Sequence, residues 1–437
     1  MAERGGVYPV RGTPRGGRRP RSGDRQADEV ERRLAAGAAN DALPAVRELA
    51  RHTPLLSSGS LEERCGGRIL LKAENLQRTG SFKLRGALAK LATLPRGTEL
   101  GARGVVAASA GNHGQSLAYA AHAHGVACEV FMPREASVAK VAAVGGYGGS
   151  VVLGGHSVDE CLAAAIERAH ETGATFVHPF DDGDVIIGQG TLGLELLEDV
   201  PDLAQVIIPI GGGGLASGVA GVIKLARPHV RTVGVQVEAA APFPGSIAAG
   251  APVAVEGAST IADGIAVKRP GTITLPLVSR FVDEVVVVRE DDVAEAMVLL
   301  MERAKLVVEG AGAVGVAALL AGAVKPAREG TTVVVLSGGN VDAGLLALVA
   351  HRHEVAVGRR LRFATAVSDR PGGLATLLTC VADAGGNLIT VAHVREAADL
   401  HVRQTGVELT LETRGVDHAE VILSVLRERG YRVQLLA

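Results

Sequence analysis

A lysine between an apolar strand and the start of a helix is the first group in this chain equipped for chemistry. It lies in Thr79-Gly80-Ser81-Phe82-Lys83-Leu84-Arg85-Gly86-Ala87, after the apolar run Arg68-Ile69-Leu70-Leu71-Lys72-Ala73. Leu84, Leu88 and Leu91 then recur at helical spacing. A lysine at a helix N-terminus meets the positive end of the helix dipole and loses solvation, and both disfavour its ammonium form. Lys83 is therefore the candidate nucleophile and base, and Phe82 offers a flat face for an aromatic cofactor. Taken alone, the stretch also reads as a surface lysine after a turn.

Other motifs supply the company such a lysine needs. Gly211-Gly212-Gly213-Gly214-Leu215 follows the apolar run 206–210 and precedes a helical pattern. Glycines there let the backbone approach closely, so that successive N–H groups at a helix N-terminus converge on an anion such as phosphate. No Gly-Lys-Ser/Thr follows, which excludes a Walker loop, and the spacing of a dinucleotide fingerprint is absent. Ser109-Ala110-Gly111-Asn112-His113 presents hydroxyl, amide and N–H groups at another helix start, a seat for a carboxylate. Ser337-Gly338-Gly339-Asn340 ends a fourth apolar run. Each motif also has a plain reading as a packing turn.

In this order, Ser81–Ala87, Ser109–Gln115, Gly211–Leu215 and Ser337–Asn340 resemble the pyridoxal-phosphate enzymes of the tryptophan-synthase β fold (fold type II), most closely the threonine dehydratases, over about residues 45–345. The resemblance implies pyridoxal 5'-phosphate carried covalently on Lys83. Phe82 then packs on the ring, Asn112 bonds the ring hydroxyl, Gly211, Gly212, Gly213, Gly214 and Leu215 hold the phosphate, and Ser337 reaches the pyridine nitrogen. Ser109, Gly111, Asn112 and His113 are expected to take the substrate carboxylate, His113 through its backbone. Glu309 is expected near the substrate hydroxyl or the cofactor, or as a structural carboxylate. Glu238 matches one ligand of a cation site in some relatives, but Pro242 and Pro244 stand where its partners would be, so no metal is expected. The activity implied is L-threonine ammonia-lyase. Serine dehydratase, serine racemase and threo-3-hydroxyaspartate dehydratase share the motifs, and an amino-acid sensor with an inert core is the reading from another class.

The elements must place these groups at one end of a sheet. Of 437 residues, 47% are hydrophobic, only 3% are aromatic and 57 are glycine, an α/β composition too long for one domain. Net charge is −2, so no global field draws nucleic acid or an anionic membrane and the ligands should be small, and the resemblance makes the expected one an amino acid. Four scattered cysteines suit a reducing cytoplasm. The uncharged run 203–223 holds Pro209 and four glycines and reads as strand, loop and helix. Strand and helix alternate from Lys83 to Ser337, which predicts a mostly parallel sheet, and the resemblance implies a two-lobed α/β domain over residues 28–345. A strand is expected at 175–178, a helix start at Gly188 and a helix over 292–303.

Residues 1–27 hold seven arginines against Glu3 and Asp24 and are expected to be a disordered, dispensable tail. Residues 346–359 read as a linker. Residues 360–437 follow the order βαββαβ and resemble an ACT regulatory domain. In relatives such domains bind an amino acid where two of them meet, which implies a homodimer or homotetramer. Isoleucine is the expected effector and valine its opponent, read by Asp369, Arg370 and Asn387, or else the domain only assembles the oligomer.

Overall fold

The computed structural model describes residues 6–10, 22–94, 103–256, 259–394 and 403–436, which fall into two compact units, Met1–Asp342 and Ala343–Ala437. In the first unit, apolar runs without alternation become strands covered on both faces, as in Thr331–Leu336, buried at every position. The larger sheet has the order Val7–Pro9, Glu284–Val288, Arg231–Val237, Leu203–Pro209, Thr331–Leu336, Arg68–Ala73, Leu55–Ser57. Its five inner strands are parallel and its two edges antiparallel. The smaller sheet, Ser150–Leu153, Cys128–Met132, Val105–Ala108, Thr175–Phe176, is parallel throughout.

Two cores follow from the sheets. Helix Lys83–Ala92 buries Leu84, Leu88 and Leu91 with Leu117 and Val130 in the smaller lobe. Each such leucine contributes about 1.5–3 kcal/mol of transfer free energy. The larger lobe packs Ile208, Ile210, Val219 and Phe281, and Phe82 lies against that second core. Phe82 and Lys83 therefore stand at the seam of the lobes, beyond the carboxyl ends of the parallel strands.

Several expectations need correction. Helix Gly183–Asp199 begins before Gly188, because Asp182 caps it, Oδ1 accepting from the Asp184 and Val185 N–H groups at 2.8 and 3.1 Å. Gly188 serves helix packing instead: a Cβ there would lie 2.6 Å from the Arg85 carbonyl oxygen. The strand expected at 175–178 is only Thr175–Phe176. Helix Glu290–Leu299 passes into a π-turn, Leu300–Ala304, closed by Lys305 at φ 61°.

Part of the stretch expected to be disordered is structured. Val7–Pro9 pairs with the edge strand Glu284–Val288, and a helix runs from Ser22 to Ala35, because Ala27, Val30 and Leu34 form a buried stripe that extends to Gly23. The expected linker is the helix Ala343–Ala356, whose residues 345–356 lack glycine and proline.

The second unit follows the expected order: Arg360–Ser368, Gly373–Asp383, Asn387–Val394, Gln404–Glu412, Val416–Glu428, Gln434–Leu435. Its four strands pair antiparallel, and Phe363, Leu377, Leu409 and Ile422 fill its core.

Candidate active site

Lys83 is the first residue of its helix, with a half-buried side chain whose Nζ donates to the Pro179 carbonyl at 2.6 Å and lies 5.3 Å from the Phe82 ring centroid. Desolvation lowers its amine to about 8, against the opposing pull of Glu309. Much of the amine is thus free at mildly alkaline pH, as a nucleophile or base requires.

Opposite stands a polar frame joining three motifs. The Asn112 amide donates to Glu309 Oε1 at 2.7 Å, and Asn340 Nδ2 donates to Asn112 Oδ1 at 2.7 Å and to the Thr79 carbonyl at 2.8 Å. Both ends of Asn112 are thereby fixed. Glu309 is buried, and desolvation first, then the nearby Asp263, raises its carboxyl to about 7. Ser337 is buried, and its carbonyl accepts from the Phe82 N–H at 3.1 Å, which ties the Ser337 turn to the lysine motif.

The glycine loop forms a cradle. Gly213 takes φ 97°, a conformation that favours glycine, and the buried N-terminus of helix Gly214–Ala226 has no side-chain cap. A Cβ on Gly212 would fall 2.3 Å from the Phe180 ring, and one on Gly214 3.0 Å from the Phe180 backbone. The N–H groups of this loop fit a phosphate, and the Ser81 hydroxyl beside Phe82 is buried without a partner. Cradle, lysine and unpaired hydroxyl together fit pyridoxal phosphate.

The carboxylate seat is narrower than the sequence suggests. Ser109 Oγ accepts from the Gly111 N–H at 3.1 Å, which occupies that donor. Asn112 opens the helix Asn112–Ala123, again without a side-chain cap. The buried His113 ring pairs through Nε2 with the Val177 carbonyl at 2.9 Å, and desolvation lowers it to about 3, so the imidazole is neutral and a poor base.

Sequence reasoning assigns no part to several residues here. Asn340 ends the Ser-Gly-Gly-Asn motif, and that position was the available signal. His178 accepts from the Asp181 N–H at 2.8 Å and meets the Phe180 ring edge-on at 4.6 Å, shaping the loop that carries Pro179. Arg85, fully buried, grips Glu74 and Glu195 at 2.7–2.9 Å, and Lys72 reaches Glu195 at 2.8 Å. These groups anchor the lysine helix.

Glu238 is exposed and accepts from the Glu290 N–H at 3.4 Å, and among the described residues no group of three or more His, Cys, Asp or Glu could hold a metal. Among them too, no helix is long and apolar enough to cross a membrane. In the second unit the expected effector residues separate. Asp369 follows the Ser368 end of its strand, whereas Asn387 aligns through Glu412 with Arg360 at the other end, about 25 Å away along the strand. Asn387 bonds Glu412 at 2.9 Å. One chain therefore does not bring Asn387 together with Asp369 and Arg370.

Residues 46–338 match the family model of pyridoxal-phosphate dependent enzymes. An L-threonine ammonia-lyase of Geobacter sulfurreducens is 47% identical over 391 residues, covering 90% of this chain and 96% of its own. The processed form of threonine deaminase isoform 2 from Solanum lycopersicum superposes with a TM-score of 0.70 at 33% identity, over 80% of this chain and 98% of that one. A maize serine racemase gives a TM-score of 0.68 at 35% identity, over 73% and 97%. Lysine, glycine cradle and Asn112–Glu309 frame occupy the matched region, and the chain belongs to the pyridoxal-phosphate dependent enzymes of fold type II.

Proposed function

We propose that the chain is an L-threonine ammonia-lyase, releasing 2-oxobutanoate and ammonia. The observation that carries this reading is the Lys83 amine at its helix start beside Phe82, lowered to about 8 by burial and close enough to feel Glu309, whose buried carboxyl is raised to about 7 and held by Asn112 at 2.7 Å. When bound, pyridoxal phosphate supplies a sink for the electron pair left as a Cα–H bond breaks. Lys83 would hold it and then, as a free amine, take the α-proton on Nζ. Gly211 through Leu215 would hold the phosphate, Phe82 would flank the ring and Asn112 would bond its hydroxyl. Ser337 would meet the pyridine nitrogen with a neutral hydroxyl, which does not keep that nitrogen protonated as a carboxylate would. Carbanion character is then short-lived, and loss of the β-hydroxyl is favoured over transamination. The N–H groups at Asn112 and His113 and the Ser109 loop would seat the α-carboxylate. Glu309, close to half protonated at neutral pH, would hold a proton beside the departing hydroxyl.

The second unit is read as an ACT domain working in a homodimer or homotetramer, with isoleucine as effector and valine as its opponent. Its support is the βαββαβ order and the Gly372–Gly373 turn, where Gly372 takes φ 92° and a Cβ on Gly373 would meet the Ser368 carbonyl oxygen at 2.3 Å. The setting is isoleucine synthesis or threonine breakdown in the cytoplasm. Ammonia and 2-oxoacid release from threonine, serine and threo-3-hydroxyaspartate tests the reading: threonine is expected to turn over best. A preference for either rival substrate assigns the chain to that activity, and a purified protein that stays colourless after reconstitution makes it a sensor.

A further inference from the structure

Lys140 and Asp263 stand beside the Gly111 loop and the turn next to Glu309 without a part in the chemistry above. Lys140, on helix Val138–Gly146 of the smaller lobe, places Nζ 2.7 Å from Asp263 Oδ2, and only 15% of its side chain is exposed. A Cβ built on Gly111 would lie 3.9 Å from that Nζ, so the ammonium covers the loop offered to the substrate carboxylate. Asp263 begins the turn Asp263–Ile265, and a Cβ on its neighbour Gly264 would lie 3.3 Å from Glu309 Oε1. The ion pair therefore reaches from the carboxylate loop to the turn beside Glu309. Ser137 Oγ donates to Asp342 Oδ1 at 2.9 Å and holds the same end of the helix against the larger lobe.

Charges in this corner are already matched. Lys140 faces Asp263, Asp342 and Glu309, so its ammonium is held by carboxyl groups of the protein. A substrate bringing a second carboxylate would find no free cation there and would meet Asp263 as a like charge, with the Glu309 carboxyl partly ionised beside it. A methyl group or hydrogen at the same place carries no such cost.

We propose that the Lys140–Asp263 pair is the charge filter of the substrate cavity, admitting hydroxy amino acids with neutral side chains and turning away those with a side-chain carboxylate. The filter rests on the site being one for amino-acid β-elimination. The test titrates the holoenzyme with L-aspartate and with L-2-aminobutyrate, neither of which has a β-leaving group, and follows the absorbance of the bound cofactor to obtain two dissociation constants. Asp263→Asn is expected to release Lys140 and raise aspartate affinity relative to aminobutyrate about tenfold. Adding Lys140→Met to it should cancel the gain. A ratio within about twofold of the parent in Asp263→Asn, or a gain that survives Lys140→Met, overturns the filter. Asp263→Ser carries the same expectation if the Asn variant fails to fold. Threonine turnover by the parent enzyme is measured alongside. Binding of aminobutyrate without elimination of threonine overturns the functional reading alone, while the ratio still decides the filter.

Discussion

Burial acts on Lys83 and Glu309 in opposite chemical directions, lowering the amine to about 8 and raising the carboxyl to about 7, so that each is poised near its neutral form. Elimination should rise with pH as Lys83 loses its proton, with a midpoint in the apoenzyme's amine titration near 8. Lys83→Ala should abolish covalent attachment and leave the fold. Borohydride fixation and peptide mapping check this, and label on Lys72 or Lys140 would refute it. For Glu309 the sign follows from linkage: its folded value exceeds the unfolded 4.5, so its contribution is full below about 4.5 and lost as pH rises through about 7. Glu309→Gln should flatten the fall of the apoenzyme's thermal midpoint between pH 5 and 8, a difference of at most about 3 kcal/mol. Ser337→Asp should slow threonine elimination at unchanged cofactor occupancy, and full retained activity would refute the electronic argument. Lys83 and the glycines were legible because their neighbours in sequence are their neighbours in space. The Asn112–Glu309 bond was not, because 197 residues separate the partners.

Two helices meet behind Lys83 almost without side chains between them. A Cβ on Gly86 would collide with Gln189 and Val185, and one on Gly188 with the Arg85 carbonyl, so Lys83–Ala92 and Gly183–Asp199 approach backbone to backbone. Into that contact the Arg85 fork is set with both carboxylates satisfied, and Lys90 joins Asp182 and Asp184 at 2.8 and 3.0 Å. Arg85→Met would leave Glu74 and Glu195 facing each other with Lys72 at 2.8 Å and His52 at 4.0 Å from Glu195. A loss of about 3–5 kcal/mol in denaturant unfolding is expected, and a loss below about 1 would mean that water enters the cluster. Gly213→Ala should weaken cofactor binding through its left-handed backbone, measured by equilibrium dialysis. The sequence read Gly188 as a helix start because glycine breaks helices in isolation. Its use as a spacer becomes visible only once the second helix is in place.

At the scale of the molecule, the alternation of strand and helix was enough to give mostly parallel pairing and the βαββαβ order, since hydrophobic period and turn residues are local properties. The joint was misread, because residues 345–356, mostly Leu, Ala and Val, contain nothing that stops a helix. A chain ending at Asp342 should keep threonine turnover and lose any response to isoleucine. Inhibition surviving that truncation would put the effector elsewhere. The strand Val7–Pro9 changes how the protein has to be handled. It covers the outer hydrogen-bonding groups of Glu284–Val288, the next strand in a sheet of otherwise stable pairing. A shortened chain beginning at Asp28, the natural choice if residues 1–27 were idle, would bare a row of valine amides and carbonyls able to pair with a second molecule. Such a preparation should scatter light increasingly with concentration and storage while the longer chain stays clear, so that the strand Val7–Pro9 acts as a guard against self-association.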